Sequence, residues 1–189
     1  VCTPHYLHAE MTIAALEKNI NVICEKPLAI NQTQLDDIEK AVKASKAQLG
    51  VCFQTRYNRS FTELKKIIRP EEVIAAYANL VWVRDKAYYD SGAWRGTKDK
   101  EGGGVLINQA IHSLDLLLWV CGMPKSIVAH CFDDSLKGVI EVEDTVHGVY
   151  DLGDNRNFIL NATNASKTCF TNVLSFVTKD KTAVLYGDE

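Results

Sequence analysis

Lys26, Asn108 and His112 are the side chains whose types and surroundings best suit chemistry on a hydroxyl group. Val22-Ile-Cys24 reads as a buried parallel strand, so Glu25-Lys26-Pro27 falls just past its carboxyl end, where open α/β sheets bind their ligands. Pro27 biases Lys26 to an extended backbone. An ammonium there can steady a developing oxyanion; a plain surface lysine at a strand end is the competing reading. Asn108 and His112 stand four apart in a run with helical pattern, Val105 to Val120, which predicts one shared face. Asp115, three residues on, borders that face and could orient the imidazole. Taken alone, His112 reads as well as a satisfied ring in a helix packed on a sheet.

Other motifs carry less. Val1-Cys-Thr-Pro4 reads as the end of a strand, and Thr3-Pro4-His5 with His8 is open to a reading as turn chemistry alone. Gly102-Gly103-Gly104 precedes the helical run. The chain has no GxGxxG after a strand and no GxxxxGK[ST], so close approach of a helix to a sheet explains the triglycine better than phosphate binding. The six cysteines are scattered, none in a CxxC pair, and most have apolar neighbours. They read as small buried hydrophobes in a reducing compartment, with cytoplasm as the default and no metal site expected. Asn161-Ala-Thr163 and Asn164-Ala-Ser166 match the glycosylation pattern, by chance in a chain of this kind.

The elements that must position these groups fall into two parts. Over 1–57, short apolar strands alternate with amphipathic helices: a helix at 8–16, a strand at 22–24, a helix at 32–46 with Asn31 or Thr33 as cap, and a strand at 50–53. That pattern predicts a parallel sheet covered on both faces, an α/β class. Over 58–189 the expectation is α+β. A helix near 60–68 leads to a long strand at 73–83, a polar and aromatic loop at 84–103 and the helix at 105–120. Strands follow at 127–132, 145–150, 158–162, 173–177 and 182–186. The turns Asp133-Asp134, Gly153-Asp-Asn155 and Lys179-Asp180 predict antiparallel hairpins in a large open sheet with its helices on one face.

Bulk properties close off other classes. The chain has 189 residues, 47% hydrophobic and 24% charged, an ordinary folded balance. A net charge of −3 with no basic block gives no purchase to a nucleic-acid backbone or an anionic membrane. No apolar run approaches the roughly 20 residues that span a bilayer.

Taken in order, the motifs resemble one family. Thr3-Pro-x-x-x-His8, Val22-Ile-Cys-Glu-Lys-Pro-Leu28, Gln54-x-Arg-Tyr-Asn58, Trp94-Arg-Gly96, the triglycine, Asn108-x-x-x-His112-x-x-Asp115 and Val142-Glu-Asp-Thr145 look like the Gfo/Idh/MocA oxidoreductases, over essentially the whole chain. The resemblance implies the C-terminal portion of a Rossmann-type dinucleotide-binding domain over 1–57 and an incomplete substrate and oligomerisation domain over 58–189. The glycine fingerprint is expected upstream of Val1 and further sheet beyond Glu189, so that this chain alone would be inactive. It implies NAD or NADP as cofactor, contacted by Thr3, Pro4, His5, Glu25, Lys26, Pro27 and Gln54. Lys26 and His112 match the family's active-site lysine and helical histidine. Asn108 stands where many members have Asp, so it can hydrogen-bond a hydroxyl but cannot titrate. Arg95, Tyr88, Tyr89 and Trp94 are candidate contacts to a sugar, cyclitol or related polyol, and the open sheet face to a second copy of the chain. The alternatives are a non-catalytic sugar- or nucleotide-sensing relative, which Asn108 favours, and an inactive fragment.

Overall fold

Apolar runs flanked by turn residues set the elements, and the computed structural model describes residues 1–133 and 135–187. In the first part, β1 (Val22–Glu25) and β2 (Leu49–Cys52) pair in parallel, Val22 opposite Leu49. Val1 lies along the other edge of β1: its amino group donates to the Ile23 carbonyl and its own carbonyl accepts from Glu25 N–H. Helices α1 (His8–Leu16) and α2 (Gln32–Ala44) connect these segments, and Leu16, Val22 and Cys24 are buried with them. Asn31 caps α2, its Oδ1 accepting from Gln34 N–H at 2.9 Å. The expected cover on both sheet faces is present on one only, since Ile23 on the opposite face is 74% exposed.

The second part is a six-stranded mixed sheet, ordered β4-β5-β6-β3-β7-β8. The strands are β3 (Ala75–Val81), β4 (Ser126–Phe132), β5 (Thr145–Gly153), β6 (Arg156–Thr163), β7 (Val173–Val177) and β8 (Thr182–Tyr186). Every pairing is antiparallel except β3 with β6. Asp154 and Asn155 take left-handed backbone angles in the β5–β6 turn, which Asp and Asn tolerate better than most residues. Position 134 of the predicted Asp133-Asp134 turn lies outside the described residues.

Strand alternation sends Ala76, Ala78, Leu80, Phe158, Leu160, Leu174 and Phe176 to one face. There they meet Phe61 and Leu64 of α3 (Arg59–Ile67) and Leu116, Leu117 and Val120 of α6 (Ile111–Cys121). Each of the larger apolar side chains among them contributes about 1.5–3 kcal/mol when taken from water. The other face shows Tyr77, Val149, Val184 and Tyr186 to solvent, and β4 is exposed along its whole length. The 84–103 segment holds one short helix, α4 (Lys86–Asp90).

The predicted helix 105–120 is interrupted. It forms as α5 (Val105–Asn108) and α6, separated by Gln109 and Ala110. Ala110 N–H reaches back five residues to the Val105 carbonyl at 2.8 Å, a locally widened turn of the kind often found at functional sites. Among the described residues no helix is long and apolar enough to cross a membrane.

Candidate active site

Triglycine geometry determines how the two parts meet. A Cβ on Gly104 would overlap the Glu143 carbonyl oxygen, and one on Gly102, whose φ is +89°, would overlap the Ile30 side chain. The loop that follows Lys26-Pro27 therefore lies directly on Gly102. The start of α5 is already filled by protein: Glu143 accepts from Gly104 N–H at 2.9 Å and Leu106 N–H at 3.0 Å, a carboxylate where a phosphate would otherwise be drawn. The sequence pattern around Glu143 gives no sign of this use. Asp144 beside it holds the Ser135 and Leu136 amides at 3.0 Å.

Lys26, at the carboxyl end of β1 and joined to Pro27 by a cis peptide bond, reaches across to α5. Its Nζ donates to the Asn108 carbonyl at 2.6 Å and to Asn108 Oδ1 at 3.2 Å. Burial lowers the pKa of this ammonium, with Arg95 acting in the same sense and Glu25 and Glu101 opposing. An ammonium has three N–H groups, and Asn108 accounts for two of them among the described residues.

Asn108 in turn donates Nδ2 to Glu101 Oε1 and, at 3.4 Å, to the Tyr88 hydroxyl. Glu101 is a buried carboxylate that sequence reasoning does not single out; an acidic residue in a polar loop gives no signal of burial. Its other oxygen accepts from Gly96 N–H, and burial raises its pKa.

His5 and His8 have separate tasks. His5 is buried with Nδ1 3.0 Å from the Glu101 carbonyl and its ring 4.7 Å from that of Trp94. Desolvation pulls its pKa down to about 4, so the ring is neutral at pH 7. His8 bridges two backbone carbonyls, Pro27 to Nδ1 at 2.7 Å and Thr3 to Nε2 at 2.8 Å. Burial opposes its charge, but hydrogen bonds with Cys24, Pro27 and Thr3 outweigh that and raise the pKa. Two carbonyl acceptors call for a proton on each ring nitrogen, so His8 ties the ends of the first strand segment and β1 together.

Arg95 and Trp94 belong to a column of alternating rings and guanidinium groups. Trp82, Arg84, Tyr88, Arg95 and Trp94 follow one another at 4.9, 4.8, 4.6 and 4.5 Å. The Tyr88 hydroxyl accepts from Arg95 at 2.8 Å and Gln109 at 3.2 Å. Arg84 and Trp82 are not foreseen from sequence. Tyr89 departs from its expected place: its ring is buried with Leu136, Ile140 and Val142, and its hydroxyl accepts from Asn164 at 3.3 Å. Asn164, part of a glycosylation-like triplet, is fully buried.

The helix interruption falls between Asn108 and His112, so their spacing of four does not place them on one continuous helical stripe. His112 lies edge-on to Phe53 at 6.2 Å and, with Gln54, Gln109, Trp82 and Asn172, lines a cavity of about 190 Å³. Asp115, expected near the imidazole, is instead clamped by Arg56, Nε to Oδ2 at 2.7 Å and Nη2 to Oδ1 at 2.5 Å. A guanidinium matches both carboxylate oxygens at once, which an imidazole cannot. Among the described residues no group of three or more His, Cys, Asp or Glu side chains could hold a metal ion.

The arrangement is thus a half-buried cation on an amide, at the carboxyl ends of parallel segments bearing Thr3-Pro4, Glu25-Lys26-Pro27 and Gln54. Residues 62–189 match the GFO/IDH/MocA C-terminal domain, and residues 1–53 match the oxidoreductase family, NAD-binding Rossmann fold, of the same group. The chain belongs to the GFO/IDH/MocA family. It is 29% identical over 134 residues to D-glucoside 3-dehydrogenase of Escherichia coli, covering 70% of this chain and 38% of that protein. It is 28% identical over 157 residues to scyllo-inositol 2-dehydrogenase (NADP(+)) of Bacillus subtilis, covering 81% and 42%. The WlbA dehydrogenase from Bordetella pertussis, solved with NADH and UDP-GlcNAcA, superposes with a TM-score of 0.92 at 27% identity, over 100% of this chain and 55% of that one. The chain therefore spans less than half the length of these curated relatives.

The residues present fit one end of a dinucleotide. The Lys26 ammonium retains a donor after Asn108 is satisfied, and it stands where strand ends of a Rossmann sheet meet their ligand. A phosphate-binding glycine turn of the GxGxxG type does not occur between Val1 and Glu189.

Proposed function

We propose that this chain carries the acid–base machinery of an NAD(P)-dependent oxidoreductase acting on a secondary alcohol of a sugar, cyclitol or related polyol. The observation that carries the reading is the half-buried Lys26 ammonium held against Asn108 at the carboxyl end of β1. When bound, NAD or NADP supplies hydride acceptance and donation. Thr3, Pro4, His5, Glu25, Lys26, Pro27 and Gln54 would hold its nicotinamide end.

Everything else falls to the chain's own residues. Lys26 steadies negative charge on the substrate oxygen as the hydroxyl proton leaves, and burial strengthens that attraction. His112 takes the proton and returns it in the reverse direction. Asn108, unable to titrate, positions Lys26 and offers hydrogen bonds to a hydroxyl. Tyr88, Trp94 and Arg95 form an aromatic and cationic wall suited to a sugar ring. The six cysteines are all free, as in a cytoplasmic, reducing location, but only Cys24 and Cys121 are the buried hydrophobes expected, since Cys2, Cys131 and Cys169 are exposed. The exposed sheet face, with Tyr77, Val149 and Tyr186, would meet a second copy; a strictly monomeric full-length protein in light scattering would remove that part.

The test is a panel of sugars and cyclitols offered to the full-length protein with NAD or NADP, following nicotinamide reduction. Turnover of at least one secondary alcohol is expected. Tight sugar binding without turnover of any would favour instead a sensing relative, the reading to which Asn108 in place of a carboxylate lends weight.

A further inference from the structure

We infer that Glu101 is a positioning residue that sets the orientation of the Asn108 amide, and through it the charge state of Lys26. Its catalytic consequence rests on the oxidoreductase reading; the contact itself does not.

The three groups form a chain with a direction. Glu101 is only 1% exposed, and both of its oxygens receive N–H donors: Oε2 from the Gly96 backbone and Oε1 from Asn108 Nδ2. An ionised carboxylate accepts only, so it fixes which end of the neighbouring amide faces it. With Nδ2 committed to Glu101, Oδ1 is presented to Lys26 Nζ at 3.2 Å, beside the Asn108 carbonyl at 2.6 Å. One negative charge of this site therefore stands at 101, one amide away from the ammonium, in addition to that of Glu25. The charged and titratable groups facing Lys26 are Glu25, Glu101, Arg95 and His5, and those facing Glu101 are Arg95, Lys26 and Tyr89. Of the groups just named, Glu101 also bonds the Asn108 side chain, and so acts on Lys26 through Asn108 as well as through space.

The geometry makes a sharp statement about Glu101→Gln, a change of equal size. Gly96 N–H still needs an acceptor, so the carbonyl oxygen of the substituted side chain stays on Gly96 and its NH2 turns to Asn108. Asn108 must then flip, with Oδ1 toward position 101 and Nδ2 toward the Lys26 ammonium. Lys26 loses an acceptor and an attractive charge together, and its pKa falls. Adding Asn108→Asp to that variant restores an acceptor for both neighbours.

The experiment is competitive acetylation of the whole chain with acetic anhydride across pH, Lys26 being read by peptide mass spectrometry. Relative to the unaltered chain, Glu101→Gln should raise Lys26 labelling about tenfold at a fixed pH below its pKa, a shift of about one unit. Glu101→Gln with Asn108→Asp should bring the profile back. Unchanged labelling in Glu101→Gln would overturn the proposal. A second measurement needs no altered protein: in the unaltered chain, the Asn108 side-chain amide protons should show nuclear Overhauser contacts to the Tyr88 ring and none to the Lys26 ε-methylene. The reverse pattern would overturn it equally. Neither readout requires turnover, so an inactive full-length protein would defeat the functional reading without deciding this one.

Discussion

Lys26 and Asn108, 82 residues apart, are joined by two hydrogen bonds from one ammonium, to the backbone carbonyl and to the side-chain amide oxygen. The carbonyl lies where α5 gives way to α6, so an interruption in the helix coincides with a close contact between the two family-matched regions.

The first expectation concerns that lysine. Lys26→Ala in the full-length protein should lower turnover by on the order of 10²–10⁴-fold, because the ammonium acts on charge that develops in the transition state. Steady-state rates with a turned-over polyol check this. A variant within a fewfold of the parent would remove Lys26 from the chemistry.

The two buried histidines should respond to pH in opposite senses. The pKa of His8 is raised in the fold, so its contribution is fully present below the unfolded value near 6.5 and is lost as pH rises through the folded pKa. His5 is lowered to about 4, so its contribution is present above about 6.5 and is lost as pH falls toward 4. Urea midpoints measured against pH for the chain, His5→Asn and His8→Asn read this out. The stability lost in His8→Asn should shrink toward alkaline pH, and that lost in His5→Asn toward acid. Losses that ignore pH would contradict both assignments.

Gly104→Ala should destabilise the chain by about 3 kcal/mol, the upper end for forcing a methyl group into filled space, because the new Cβ would overlap the Glu143 carbonyl rather than a side chain that can swing aside. Gly122, where an added methyl would meet nothing within 4 Å, is the internal comparison for crowding, although its φ of +89° still disfavours alanine. Chemical denaturation separates the two costs. An equal loss at both positions would mean that contact with Glu143 is not what requires glycine at 104.

Much of this is legible in the sequence, and the failures have physical causes. Period-two runs place β5 to β8, and the strand end before Pro27 places Lys26, because those signals are local. The break at Gln109–Ala110 is not visible, since residues 105–120 keep a continuous apolar stripe and the contacts made there by Lys26 and Glu143 come from far away in sequence. Asp115 is expected beside His112 because spacing alone cannot show that Arg56, 59 positions away, offers the better-shaped partner. Glu101 escapes for the same reason: only the fold reveals that an acid in a polar loop is buried against Asn108.

The most direct test of hydride chemistry at this site uses an alcohol deuterated at its carbinol carbon, given to the full-length protein with NAD or NADP. Mass spectrometry of the reduced nicotinamide should show one deuterium gained from the secondary carbinol position of the turned-over sugar or cyclitol. Reduced nicotinamide that gains none from any carbinol position, or a full-length protein that binds these compounds and never reduces the nicotinamide, would contradict the account.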